Sequence, residues 1–299
     1  MNNRKSGIFL HISSLPSPYG IGTFGKTAFE FVDFLSASRQ SVWQVLPLVP
    51  VGMGGSPYQS ISAVAIDSNY IDLEILVDKG LLSTKELEEL AHLEQERVGW
   101  EELTPIKTGI LKKAFKRLGK DKAFDEFCKD RDWLAYACYM SLKEQFNTAW
   151  YDWEEYKIFD WEKLEKYAKH NKDSVRFYLW TQYEALSQWQ ALKEYANSKQ
   201  VQIMGDMPIY MALGSVEVWR EPKYFQLDND FVPTAVAGVP PDYFCEDGQL
   251  WGNPLYDWKV MKGDGYKWWN HRIDKAFELY DIVRIDHFRA MDRYYSVPY

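Results

Sequence analysis

Cysteine is scarce. The 299 residues hold three, Cys128, Cys138 and Cys245, far apart and in no C-x-x-C pattern. An odd, scattered set of this kind excludes a disulfide framework and a cysteine-rich zinc site, and it predicts a reducing, cytoplasmic setting. Long apolar runs are missing as well. No segment approaches the roughly 20 residues of a membrane span, and Met1 to Gly7 lead into only six apolar-leaning residues, too few for a secretory signal. Positive charge is in deficit, with 35 Lys and Arg against 43 Asp and Glu and a formal charge of -8. Nucleic acid is therefore not an expected partner, because phosphate binding draws its affinity from clustered Lys and Arg. No GxGxxG or GxxxxGK[ST] is read as supporting nucleotide binding, nor is a metal expected.

Aromatic rings are in excess: 13 Trp, 20 Tyr and 16 Phe make up 16% of the chain, more than a core of this size needs. That points to a flat ligand. Nucleobases stacked on rings would need a basic track beside them, whereas sugar rings lay their C–H faces on aromatics without it.

Apolar runs at 7–12, 42–47, 201–205 and 282–286 read as strands, with amphipathic helical stretches at 28–38, 173–198 (capped by Asp173) and 266–280. This alternation predicts an α/β fold with a parallel sheet. Residues 76–172 are charged and strand-poor, with helix starts such as Ser83-x-x-Glu86, and read as a helical insertion. Its aromatics, Trp150, Tyr151, Trp153, Tyr156, Phe159 and Trp161, read as packing. Residues 206–262 form a long, Pro- and Gly-rich connection without evident regular structure, which predicts a binding loop or lid. Polar motifs just after strand ends suit a (β/α) barrel, though an open doubly wound sheet obeys a similar rule. The expected division is first barrel units at 1–75, insertion at 76–172, and units three and four with the lid at 173–299.

Four segments carry candidate chemistry. In DIVRIDHFR, the two-residue period of a strand puts Arg284 and Asp286 on one face. A guanidinium beside a carboxylate favours the ionised form, which suits a nucleophile; a structural Arg–Asp pair is the plainer reading. In GDMPIYMA, Asp206 follows a strand and Pro208 ends it, so the carboxylate either accepts substrate hydroxyls or caps a turn. In GVPPDYFCEDGQLWGNPLYDW, Asp242, Gln249 and Asn253 are interleaved with Tyr243, Phe244 and Trp251, the mixture that binds sugars. GGSPYQ, Gly54 to Gln59, is either a plain turn or brings Ser56, Tyr58 and Gln59 to the same barrel mouth.

Together with SSLPSPYGIGTFG near the start, these segments resemble the amylomaltases, or 4-alpha-glucanotransferases, of the α-amylase clan, in the family's order and approximate spacing. The resemblance implies retaining transfer of α-1,4-glucan segments between maltooligosaccharides on a (β/α)8 TIM barrel, without a nucleotide or redox cofactor. It makes Asp286 the nucleophile that forms a covalent glucosyl-enzyme, with Arg284 holding it ionised and His287 near substrate hydroxyls. Asp206 would bind the sugar beside the cleavage point, Asp242, Gln249, Trp251 and Asn253 would form a closing loop, and Ser56 and Tyr58 would line the groove. Ala290 and Cys245 depart mildly from the family's usual Gly and Ser. The clan's acid/base Glu ends the fifth strand, yet only thirteen residues follow Asp286. The expectation is thus the N-terminal part of a barrel, with an insertion after strand 2, a lid after strand 3 and the second carboxyl absent. An α-glucan hydrolase and a non-catalytic glucan-binding fragment are the alternatives.

Overall fold

The computed structural model describes residues 4–52, 55–243 and 245–299. Along the chain, strands β1 (Gly7–Phe9), β2 (Val42–Gln44), β3 (Gln202–Met207), β4 (Ala235–Val239), β5 (Gln249–Pro254), β6 (Ile282–Ile285) and β7 (Tyr295–Pro298) are joined mainly by helices. The helices run α1 (Lys26–Ala37), α2 (Leu73–Asp78), α3 (Thr84–Leu87), α4 (Trp100–Lys116), α5 (Lys122–Phe127), α6 (Arg131–Phe146), α7 (Trp161–His170) and α8 (Lys172–Ser198). After them come α9 (Val216–Arg220), α10 (Trp258–Gly263) and α11 (Lys267–Leu279).

The four expected strands form one parallel sheet in the order β1-β2-β3-β6. Each strand is added beside its predecessor, with no reversal. A doubly wound sheet reverses its order at a switch point, so this succession is that of consecutive barrel units. The strands are shorter than the apolar runs suggest, except β3, which extends through Asp206 to Met207 before Pro208 removes the next donor. Asp206 therefore lies within a strand rather than after it.

Helices α3 to α7 fall inside the 76–172 segment, which holds no strand among its described residues. Ser83 and Glu86 make the predicted capping box, and Asp121, Asp130 and Asp160 accept backbone N–H bonds at the starts of α5, α6 and α7. At α8 the cap is not the expected Asp173. The N-cap is Asn171, and Asp173 sits inside the first turn, where its charge favours the positive helix end. The insertion's aromatics pack as expected. Trp150 and Trp153 are fully buried, and Trp219 donates to the Tyr156 carbonyl at 2.8 Å, fastening the insertion to the connection after β3.

That connection is not irregular. It contains α9, α10 and the antiparallel pair β4–β5, and β7 adds to the other side of β4, giving a second sheet in the order β5-β4-β7. Strands spelled AVAGV and QLWGNP carry Gly and Pro that weaken any strand signal.

The loop from β1 to α1 reads GIGTFGKT, Gly20 to Thr27, and so matches both G-x-G-x-x-G and G-x-x-x-x-G-K-[ST], patterns the sequence reading did not credit. Its geometry is not that of a phosphate cradle. A Cβ on Gly25 would meet Asp72 Oδ2 at 1.9 Å, so a carboxylate stands against the start of α1, and it accepts from Thr23 Oγ1 at 2.6 Å. Lys26 points outward, 3.6 Å from Glu30 on the next turn. A negative charge where a phosphate would lie, and a lysine turned away, do not fit a nucleotide.

Candidate active site

Parallel register sets the site. Asp206 on β3 is paired with Arg284 on β6, near the C-terminal ends of both strands. Arg284 Nη1 donates to Asp206 Oδ1 and Nη2 donates to Asp286 Oδ1, each at 2.6 Å. One guanidinium thus spans two carboxylates, the strong form of charge-assisted hydrogen bond. Desolvation alone would lower the Arg284 pKa, but its bonds to Asp206 and the charges of Asp206 and Asp286 outweigh that and hold it above the usual value. The other oxygen of Asp206 accepts from Tyr58 Oη at 2.6 Å. Burial first, and this bond second, push the Tyr58 pKa up, so the phenol keeps its proton.

The two carboxylates differ in access. The Asp206 side chain is 2% exposed and that of Asp286 is 38% exposed. Asp286 continues the ladder past β6, its N–H donating to the Met207 carbonyl at 3.1 Å, and His287 then takes a left-handed turn at φ 48°. Among the described residues no hydrogen bond reaches Asp286 Oδ2, so that oxygen is available to a ligand.

A cavity of about 300 Å³ opens beside it, at the lower end of small-molecule sites. Seven of the predicted residues line it: Ser56, Tyr58, Gln59, Trp251, Asn253, Asp286 and His287. Trp251 stands edge-on to His287 with ring centroids 5.0 Å apart, and its indole N–H donates to Gln249 Oε1 at 2.9 Å. Ser56 also accepts from the Tyr58 N–H at 3.3 Å, capping the short turn Pro57–Gln59. Asp206 and Arg284 are not among the lining residues, the first being buried and the second part-exposed. Asp206 caps nothing, and Arg284 ties it to Asp286. Asp242 does not line the cavity; its Oδ1 accepts from the Cys245 N–H at 2.9 Å. Gly54 and Phe244, which the sequence reading included, lie outside the described residues.

Pro208, Ile209 and Tyr210 complete the lining. Arg272 reaches the same wall from α11, its guanidinium donating to the carbonyls of Pro208 and Ile209. No sequence spacing signals Arg272, because contact between a helix and a strand-end loop 63 residues away leaves no local pattern. A larger cavity of about 600 Å³ lies between α6, α9 and α11. There Asp132 is paired with both Arg220 and His271. That pairing joins those elements.

Residues 10–299 match the family model described as 4-alpha-glucanotransferase. The chain is 44% identical over 307 residues to the 4-alpha-glucanotransferase of Streptococcus pneumoniae, covering 100% of this chain and 61% of that protein. It is 43% identical over 311 residues to that of Synechocystis, again 100% and 61%. Its structure resembles the amylomaltase of Streptococcus agalactiae solved with acarbose, with a TM-score of 0.93 at 40% identity, covering 99% of this chain and 62% of that one. A likeness to the amylomaltase of Corynebacterium glutamicum, TM-score 0.76 at 18% identity over 98% of this chain and 42% of that one, concerns the fold. The chain thus spans about 61% of the length of the curated relatives it matches.

Proposed function

The chain belongs to the 4-alpha-glucanotransferase family, and we propose from that premise that it contributes the nucleophile of an enzyme moving α-1,4-glucan segments between maltooligosaccharides. The observation that carries the reading is Asp286: a partly exposed carboxylate at a strand end, fixed through one oxygen by Arg284 and open at the other onto an aromatic-walled cavity. The acarbose bound by the similar amylomaltase supports a glucan in that cavity.

In this reading Asp286 Oδ2 attacks the anomeric carbon as the glycosidic bond breaks, forming a glucosyl ester. The incoming 4-hydroxyl of a second chain then displaces Asp286, so configuration is retained over two inversions. Arg284 holds the attacking carboxylate in place, and its bond to buried Asp206 fixes the guanidinium in turn. Trp251 and His287 offer apolar and polar contacts to the sugar, and they narrow the access of water, which favours transfer over hydrolysis. Retaining enzymes place the acid/base carboxyl about 5 to 5.5 Å from the nucleophile. Asp206 is buried and does not line the cavity, so we assign that role to a part of the protein beyond these 299 residues and expect the chain alone to be inactive. No described helix is long and apolar enough to cross a membrane; the free cysteines support a cytoplasmic enzyme.

The full-length protein given maltotriose should release glucose together with longer chains. Reducing ends that accumulate with no product longer than maltotriose would instead identify an α-glucan hydrolase.

A further inference from the structure

The antiparallel ladder between β4 and β5 breaks at the cavity wall. Val236 pairs with Pro254 and Gly238 with Leu250, so Ala237 stands opposite three residues, Trp251, Gly252 and Asn253. Gly252 has φ 77°, as such a bulge requires. A bulge of this size forfeits ladder hydrogen bonds at the two residues, Trp251 and Asn253, that face the candidate site.

Gln59, from the loop after β2, supplies bonds in their place. Its Nε2 donates to the Trp251 carbonyl at 2.9 Å and to Asn253 Oδ1 at 3.1 Å, while Asn253 Nδ2 donates back to Gln59 Oε1 at 3.4 Å. Two side-chain amides 194 residues apart thus face each other reciprocally, and Asn253 is 4% exposed, so loss of its partner would leave a buried amide unsatisfied. The Trp251 ring lies against His287, the neighbour of Asp286. Beside the ring contacts with His287 and Tyr210 and the bond to Gln249, the bonds from Gln59 tie this part of the wall to the β2 side of the cavity.

We propose that Gln59 is a positioning residue: it replaces the missing ladder bonds, sets Trp251 against the cleft, and so controls how the glucosyl-Asp286 ester is shared between sugar and water. The inference rests on the function proposed above. In either branch the C–O bond to Asp286 breaks as a new C–O bond forms to the acceptor oxygen, whose proton passes to a general-base carboxylate. Only the acceptor differs, a sugar hydroxyl or water.

The test uses the full-length protein made with fluorotryptophan, in which the Trp251 resonance is identified by its loss in Trp251→Phe. Gln59→Ala should shift or broaden that resonance. It should lower transfer from maltotriose by about tenfold in kcat/KM, the scale of one or two lost hydrogen bonds, and raise the share of hydrolysis. The exchange Gln59→Asn with Asn253→Gln keeps two facing amides and should restore most of the product ratio. An unmoved Trp251 resonance, or a lowered melting point with an unchanged product ratio, overturns the proposal. The underlying reading is separable: if Asp286→Asn keeps full turnover, the assignment of the nucleophile fails, while the Trp251 resonance still decides whether Gln59 positions it.

Discussion

Asp206 and Arg284 are register partners on neighbouring parallel strands, and their side chains meet at 2.6 Å. The pairing turns a guanidinium that would otherwise swing freely into a fixed bracket, whose second arm holds Asp286 at the same distance.

Arg284→Met removes that bracket and leaves Asp206 buried with Tyr58 alone as partner. Breaking a fully buried pair costs about 3 to 5 kcal/mol. Because the Arg284 side chain is 44% exposed, the expected loss is lower, about 2 kcal/mol, read by chemical denaturation. Turnover should fall further than stability does, since Asp286 loses its orientation too. A variant as stable as wild type would deny Arg284 the bracing role.

Asp286→Asn keeps the shape of the side chain and removes the proposed nucleophile. Transfer by the full-length enzyme should drop by roughly 10⁴-fold or more, while binding of maltooligosaccharides, followed by calorimetry, persists. Substantial residual turnover would take Asp286 out of its role.

Gly205 precedes Asp206, and a Cβ there would lie 2.2 Å from the Tyr280 ring. Tyr280 is 5% exposed and has little room to yield. Gly205→Ala should therefore destabilise by about 1 to 3 kcal/mol, the range for overpacking, and lower activity by displacing Asp206. Combining it with Tyr280→Leu should recover part of the stability. Failure to recover any would trace the defect to backbone preference instead.

Lys107 on α4 is 1% exposed, with Nζ donating to the Asn69 carbonyl at 2.5 Å. Burial lowers its pKa to about 8, against the opposing charges of Asp72 and Asp67. The unfolded lysine titrates near about 10.4, so between these values the unfolded chain binds more protons and stability rises with pH. Below about pH 8 both states are charged and the burial penalty is present in full. Denaturation midpoints should show an upward contribution from pH 8 to 9.5 that Lys107→Met abolishes. Equal slopes for the two proteins would place the Lys107 pKa outside that window.

The parallel sheet was legible because its strands are apolar runs cut off by Pro, Gly and charge, and the Arg284–Asp286 alternation follows from strand period alone. Asp206 was readable as a polar residue at a strand end, but not as the partner of Arg284, since register between residues 78 apart is a tertiary fact. The second sheet escaped for a compositional reason: β4 and β5 include Gly238, Gly252 and Pro254, residues that ordinarily mark loops. The string GIGTFGKT shows the converse. Its letters fit a phosphate loop, and what rules that out is tertiary: the side chain of Asp72, supplied from 45 residues after Thr27, and the outward turn of Lys26.

Strand β7 begins nine residues after Asp286 and pairs with β4 along Ala235 to Gly238. The segment bearing the proposed nucleophile is thereby stitched to the hairpin bearing Trp251. A hinge that swung the whole hairpin outward would have to tear this ladder or drag the His287 turn with it. Opening of the proposed groove would therefore be confined to the hairpin's far end, around Gly248, with the Trp251 wall and the Asp286 floor moving as one body.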